Sequence, residues 1–308
     1  MKSVLSILCV LLLVGCSDSE TIVKSSPLRF EWPSNDSFEV TEIILKQGNQ
    51  MEIHFKCQIV ETNQEFILRW LDAEILSFNG EKVSESLALQ HELAPVQPLF
   101  KFPPFRISAT GEFLEVIGLQ TAMEESNQQL DKIAPERPKE SREFFQNFGE
   151  TDAGKALLNK TYGKIWETWV GLWTDLNIAE GETISDEVMM PFGYEDHIPA
   201  KVAFRNLGAV KTNRNLLKLE YKEQLTANNV GSAINRFTDR LAQETEMRTA
   251  EPLAEDGSFE RLTTIDVHTD HRTLKPHWAR RLVVTTVSVP GEENLTETES
   301  HEYRFHWR

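Results

Sequence analysis

From Met51 to Ile59 the side chains alternate without a break. Met51, Ile53, Phe55, Cys57 and Ile59 are apolar, and Glu52, His54, Lys56 and Gln58 between them are polar. A period of two places these two sets on opposite faces of a strand, whereas a helix repeats every 3.6 residues. The pattern returns in the second half of the chain, where Leu217, Leu219 and Tyr221 alternate with Lys218, Glu220 and Lys222. Strands with one wet and one buried face belong to antiparallel sheets packed on a core. Both halves therefore contribute strands to such a sheet.

The segments between these anchors divide by the same test. Phe38 to Leu45 reads as a strand with a bulge where its alternation slips at Ile43-Ile44, and Gln47-Gly48-Asn49-Gln50 has the residues of a hairpin turn. Phe66 to Leu71 and Glu74 to Phe78 continue a meander. Residues 90–104 carry Pro95, Pro98, Pro103 and Pro104 and read as a loop, after which Phe105 to Ile117 resumes as strand, interrupted at Gly111. The middle is helical. Thr121-Ala122-Met123-Glu124 has the form of a capping box, and the helix it opens stops at Pro135. Pro138 to Gly149, with Phe144, Phe145 and Phe148, suggests a second helix.

The longest helix is expected from about Asp152 to Leu176. Leu158, Tyr162, Ile165, Trp169, Leu172 and Leu176 are spaced alternately by four and three, and Trp166 and Trp173 widen the stripe. So wide an apolar face is expected to dock on the sheet, with Trp169 at the centre of the contact. An aromatic stripe of this kind is ordinarily core. The sharper expectation is that Trp166, Trp169 and Trp173 line an apolar groove. Strands return at Thr183 to Met190, Lys201 to Val210 and Leu216 to Leu225. A further helix is expected at Val230–Glu244, then strands at Phe259–Thr269, Arg281–Val289 and Glu302–Trp307. The fold class is α+β: a curved, half-barrel-like antiparallel sheet with a central helical insertion and one further helix. Residues 29–308 are expected to form a single domain, with strands in 29–118, helices in 119–177, and strands with one helix in 178–308.

The N-terminus is of another kind. Lys2 is followed by the apolar run Val4 to Val14, too short for the ~20 residues of a permanent span, which reads as an export signal. It ends in Leu13-Val14-Gly15-Cys16, which closely resembles the lipobox of bacterial lipoproteins. The resemblance implies cleavage after Gly15, so that 1–15 is signal peptide, acylation of Cys16, and 16–28 as the lipidated cysteine and its polar tether. It also implies a cell-envelope location. Ser17 rather than aspartate after the cysteine points, by the same resemblance, to the periplasmic face of the outer membrane. The element order of the remainder resembles the half-barrel periplasmic lipoproteins of the lipoprotein-carrier type, where helices close the concave side, and also large uncharacterised lipoprotein families. That likeness implies a fold more than a function.

Composition narrows the function. The chain has 48 acidic against 32 basic residues, which disfavours nucleic acid, a partner that demands clustered cations. Of three cysteines, Cys9 leaves with the signal and Cys16 is acylated, so Cys57 has no partner and stability must come from a packed core. Cys57 shares the apolar face of its strand and is expected to be a buried, inert thiol. There is no Gly-rich phosphate loop, nucleophile elbow, Ser-x-x-Lys or paired-cysteine site. The one constellation with metal-ligand chemistry is His268, Asp270 and His271, with His277 nearby. Alternation puts His268 on a wet strand face and Asp270-His271-Arg272 in the turn after it, so no metal and no cofactor are expected. The expected role is a non-catalytic, membrane-anchored envelope protein that binds an apolar molecule or a protein partner. The alternatives are a structural or assembly factor of the envelope and, behind it, a lipid-anchored hydrolase.

Overall fold

The computed structural model describes residues 27–136, 139, 142–143, 150–192, 196–228, 257–288 and 293–307. Its strands are β1 (Ser37–Lys46), β2 (Asn49–Thr62), β3 (Glu65–Phe78), the short β4 (Glu81–Lys82), β5 (Phe105–Ser108), β6 (Phe113–Val116), β7 (Thr183–Phe192), β8 (Asp196–Val210), β9 (Asn213–Asn228), β10 (Ser258–Asp270), β11 (Pro276–Ser288) and β12 (Leu295–Trp307). The helices are α1 (Leu87–Leu93), α2 (Leu119–Ile133) and α3 (Asp152–Trp166), the last continued by a π-turn at Glu167–Gly171. The fold is α+β with one open, curved, antiparallel sheet in the order β6-β5-β3-β2-β1-β12-β11-β10-β9-β8-β7, and β4 pairs with β3.

The path explains why the helices lie in the middle of the sequence. The chain starts at the centre of the sheet, winds outward through β2, β3 and β5 to the edge strand β6, and leaves the sheet as helices. It re-enters at the opposite edge, β7, and winds back until β12 pairs with β1. Helix α3 packs beside β6 through Asn159 and Gly163, and its π-turn reaches β10 and β11. The helical segment thus spans one face of the sheet from one half to the other.

Several expected boundaries are revised. Phe66 to Leu71 and Glu74 to Phe78 are one strand, β3, and the irregularities lie in its pairing with β2, at Glu52/Ile53 and Lys56/Cys57. The bulge expected at Ile43-Ile44 is absent, because β1 keeps unbroken register with both β2 and β12. The apolar alternation slips there because the inward position is held by Glu42, which is buried. The proline-rich segment contains α1, capped by Ser86 Oγ accepting from Leu89 N–H, and a 3₁₀ turn at Gln97–Phe100. Phe105 to Ile117 is two strands joined at Gly111, where φ is +91° and an added Cβ would lie 2.7 Å from Phe30 Cβ, so only glycine fits. The Thr121 capping box falls inside α2, whose N-cap is Gly118. The long helix stops before Leu176: Leu172 N–H reaches Glu167 O, five residues back, then Trp173 N–H reaches Val170 O, three back, and the helix closes. The expected helices at 138–149 and 230–244 fall on residues outside those described.

The core forms where the helix meets the sheet. Trp169 is 1% exposed, its ring 5.5 Å from Trp70, 5.4 Å from Tyr303, 5.0 Å from Phe305 and 6.5 Å from Phe38. These four residues lie on β3, β12 and β1, so the helix docks with Trp169 against the centre of the sheet. Trp166 packs on Phe30 and Trp32 and donates from Nε1 to Gly111 O at 2.7 Å. Phe30 and Trp32 belong to an extended segment whose inward residues begin at Leu28. Leu28 exchanges backbone hydrogen bonds with Leu176 and Asp175, so it belongs to the core and not to the tether.

Cys57 is 1% exposed, opposite Phe38 on β1 and Trp70 on β3, and burial pushes its thiol well above the ordinary value. The native chain carrying Cys9→Ser and Cys16→Ser, in which Cys57 is the remaining thiol, should therefore resist a thiol reagent until denaturant is added. Rapid labelling without denaturant would contradict this.

Candidate functional site

The inner face of the sheet changes chemistry along its strands, and register makes the change visible. One row runs Glu42, Tyr303, Ala279, Val267, Leu219 across β1, β12, β11, β10 and β9, and it is apolar apart from Glu42 and the Tyr303 hydroxyl. The next row is Ile44, His301, Arg281, Ile265, Tyr221, and the one beyond is Lys46, Glu299, Val283, Thr263, Glu223. Two residues further along each strand, the face that carries the core becomes charged.

Helix α3 covers the apolar rows and leaves the charged ones facing a pocket of about 430 Å³. The sheet supplies Glu42, Ile44, Arg261, Arg281, Val283, Glu299, His301 and Tyr303. The helix side supplies Tyr162, Lys164 and Ile165, and Phe100 and Phe102, before β5, close one end. The lining is therefore part apolar and part charged, as in sites for small amphiphilic molecules.

The charged groups are ordered by their pairing. His301 donates from Nδ1 to Glu42 Oε1 and from Nε2 to Glu299 Oε1, both at 2.7 Å. Burial opposes charge on this imidazole, but the hydrogen bonds and charges of the two carboxylates overcome it and raise the group to about 9. The hydrogen bond from His301, helped by Lys46 Nζ at 2.7 Å, holds Glu299 down to about 2 against its burial. Burial, then the charge of Glu42, pushes the Tyr303 phenol well up. A second cluster adjoins the first: Glu223 accepts from Arg261 Nη2 at 2.9 Å and from Tyr221 Oη at 3.1 Å. Lys164 is lowered to about 8, first by burial and then by the charges of Arg281, Arg261 and Lys160.

The expected site residues are placed elsewhere. Trp166 and Trp173 are fully buried, as is Trp169, and none borders the pocket, so the apolar-groove expectation for the three tryptophans is corrected. They point into the sheet, and their neighbours Tyr162 and Ile165 line the cavity instead. His268 packs against Trp278, with ring centroids 4.8 Å apart and planes tilted by 39°. Asp270 accepts from Arg272 N–H, Thr273 N–H and Thr273 Oγ1, and so caps its own turn. His271 donates from Nδ1 to Asn215 O at 3.0 Å, and Arg272 Nε approaches its Nε2 at 3.3 Å. No group of three possible metal ligands forms among the described residues. Cys16 lies outside them.

The pocket residues escaped the sequence reading because their strand positions are polar. Strand β12 is expected to begin at Glu302, whereas it begins at Leu295, since Glu297, Glu299 and His301 give no apolar alternation. The available signal was parity: Tyr303 and Phe305 point inward, and counting back by two gives His301 and Glu299.

No family model and no curated protein matches the chain. Among solved structures, one titled "Lipid-protein interactions in lipovitellin" matches with a TM-score of 0.41 and 8% identity, over 90% of this chain and 25% of that one. The chain thus spans a quarter of that protein's length, and so low a likeness carries no weight for fold or ligand.

Proposed function

We propose that the chain is a lipid-anchored protein of the bacterial cell envelope, on the periplasmic side of the outer membrane, whose domain binds a small apolar or amphiphilic molecule without transforming it. The observation that carries the binding role is the pocket, where Ile44, Phe100, Phe102, Ile165 and Val283 share one cavity beside the docked helix. The charged groups favour holding over chemistry. His301 is the natural candidate for a base, but both its ring nitrogens are committed to carboxylates, which leaves no free lone pair to take a proton. The experiment is a titration of the full chain carrying Cys16→Ser with the neutral dye N-phenyl-1-naphthylamine. Dye emission should rise saturably to one site, and Val283→Glu should weaken it about tenfold or more with far-UV dichroism unchanged. No saturable signal, or a Val283→Glu variant that binds as well as wild type, would overturn the reading.

The anchor rests on the Leu13-Val14-Gly15-Cys16 box. Several acyl chains, at about 0.8 kcal/mol per buried CH₂, make such attachment stable. Cys16→Ala should leave full-length, unacylated precursor, read by its mass and by loss of radiolabelled palmitate. A mature, acylated product from that variant would sink the proposal.

A further inference from the structure

Charge around the pocket is not evenly matched. His301 is bracketed by Glu42 and Glu299, Lys46 pairs with Glu299, and Arg261 pairs with Glu223. Lys164 and Arg281 remain. Both line the cavity and are only part-exposed, and neither side chain forms a hydrogen bond or ion pair with another described residue. Glu167, one turn beyond Lys164, makes no direct ion pair with it, and its charge opposes the lowering of the ammonium without overcoming burial. Two desolvated cations facing one space disfavour each other, and the charges of Glu167, near Lys164, and of Glu299 and Glu223, near Arg281, offset the loss of hydration only in part, so burial still holds both cations below their ordinary values. This happens in a chain with 48 acidic and 32 basic residues, so the local excess of positive charge does not come from composition.

We propose, resting on the pocket reading above, that the ligand is a single-chain anionic amphiphile whose acidic group sits between Lys164 and Arg281 and whose alkyl part lies along Ile44, Phe100, Phe102, Ile165 and Val283. A planar guanidinium fork matches the two oxygens of a carboxylate or phosphate, and the ammonium adds a point charge beside it. At about 430 Å³ the cavity falls low in the ~300–1,000 Å³ range of small-molecule sites, which favours one alkyl chain over two. Bound there, the anion supplies the missing counter-charge, and Lys164 is held as the ammonium by its ligand. The anion can come from a free fatty acid or from a lipid phosphate, and these share the same chemistry.

The test uses calorimetric titration at pH 7 of the full chain carrying Cys16→Ser with four ligands of equal chain length: decanoate, decyl phosphate, decanol and decyltrimethylammonium. The anions should bind about tenfold or more tightly than decanol, and the cation most weakly. Lys164→Met and Arg281→Met should each bring the anions close to decanol, read as loss of the anion-to-decanol affinity ratio measured within the same variant. Both variants remove a desolvated charge, so folding is expected to persist, and far-UV dichroism checks it. The ratio of decanoate to decyl phosphate separates the fatty-acid source from the phosphate source. Decanol binding as tightly as the anions, or an anion preference that survives both substitutions, overturns the headgroup assignment and leaves the pocket standing. No binding of any of the four overturns the pocket itself.

Discussion

Trp169→Ala should destabilise the domain by about 3–5 kcal/mol, among the largest effects of any single truncation here. Its ring touches Phe38, Trp70, Tyr303 and Phe305 together, so its loss opens a void between helix and sheet. Collapse is restrained, because Thr168 and Val170 on either side are themselves completely buried. The indole Nε1 has no acceptor among the described residues, so Trp169→Phe forfeits no hydrogen bond and should cost less than about 1.5 kcal/mol. Urea midpoints of the two variants measure the difference. Equal, small effects would mean that the helix does not dock as described.

His301→Ala should cost about 3–5 kcal/mol near neutral pH, because it leaves Glu42, 4% exposed, as a buried carboxylate without its cation. The same group makes stability depend on pH. Its folded value is about 9 against an ordinary 6.5, so the contribution is fully present below 6.5 and is lost as pH rises through 9. The difference between those values, at ~1.4 kcal/mol for each pH unit, is roughly 3 kcal/mol. Glu299, held down to about 2 from 4.5, reports the same contact from the other side: its share is present above 4.5 and lost as pH falls through 2. The two figures describe one interaction and do not add. Lys164 acts in the opposite sense, since the penalty on its ammonium is full below about 8 and disappears above 10.5. Comparing wild type with His301→Ala at pH 6, 8 and 10 isolates the histidine. The gap between them should narrow steadily with pH, and a gap that stays constant would show that His301 is not held as the imidazolium.

The two predictions mark the two regions of one face. Around Trp169 the sheet presents Phe38, Val40, Phe305 and Val267, and packing decides stability. Two to four residues further along the same strands it presents Glu42, His301 and Arg281, and pairing decides it. The cavity opens at the boundary, where the covering helix passes from Trp169 and Trp166 to Ile165 and Lys164. The apolar half of the ligand site is thus an edge of the core, and its charged half is the set of inward positions that the helix does not cover.

What the sequence determined by itself was local and periodic. Alternation from Met51 to Ile59 placed Cys57 on a buried face, and the spacing from Leu158 to Trp169 placed Trp169 on the docking side of a helix, because each pattern needs only the geometry of its own element. The α+β class with an antiparallel sheet followed from the order of such elements, and the tertiary structure showed that the sheet stays open. Tertiary structure alone decided that β1 and β12, more than 250 residues apart, are neighbours, and that Lys46 and Glu42 of one meet Glu299 and His301 of the other. It also decided the fate of the tryptophans, since a wide apolar stripe fits a buried helix as well as a groove wall, and only the position of the sheet distinguishes them. Hydrophobic periodicity reports where a strand rests on apolar neighbours. It is silent where inward positions are polar and paired across strands, and those are the positions that line this pocket.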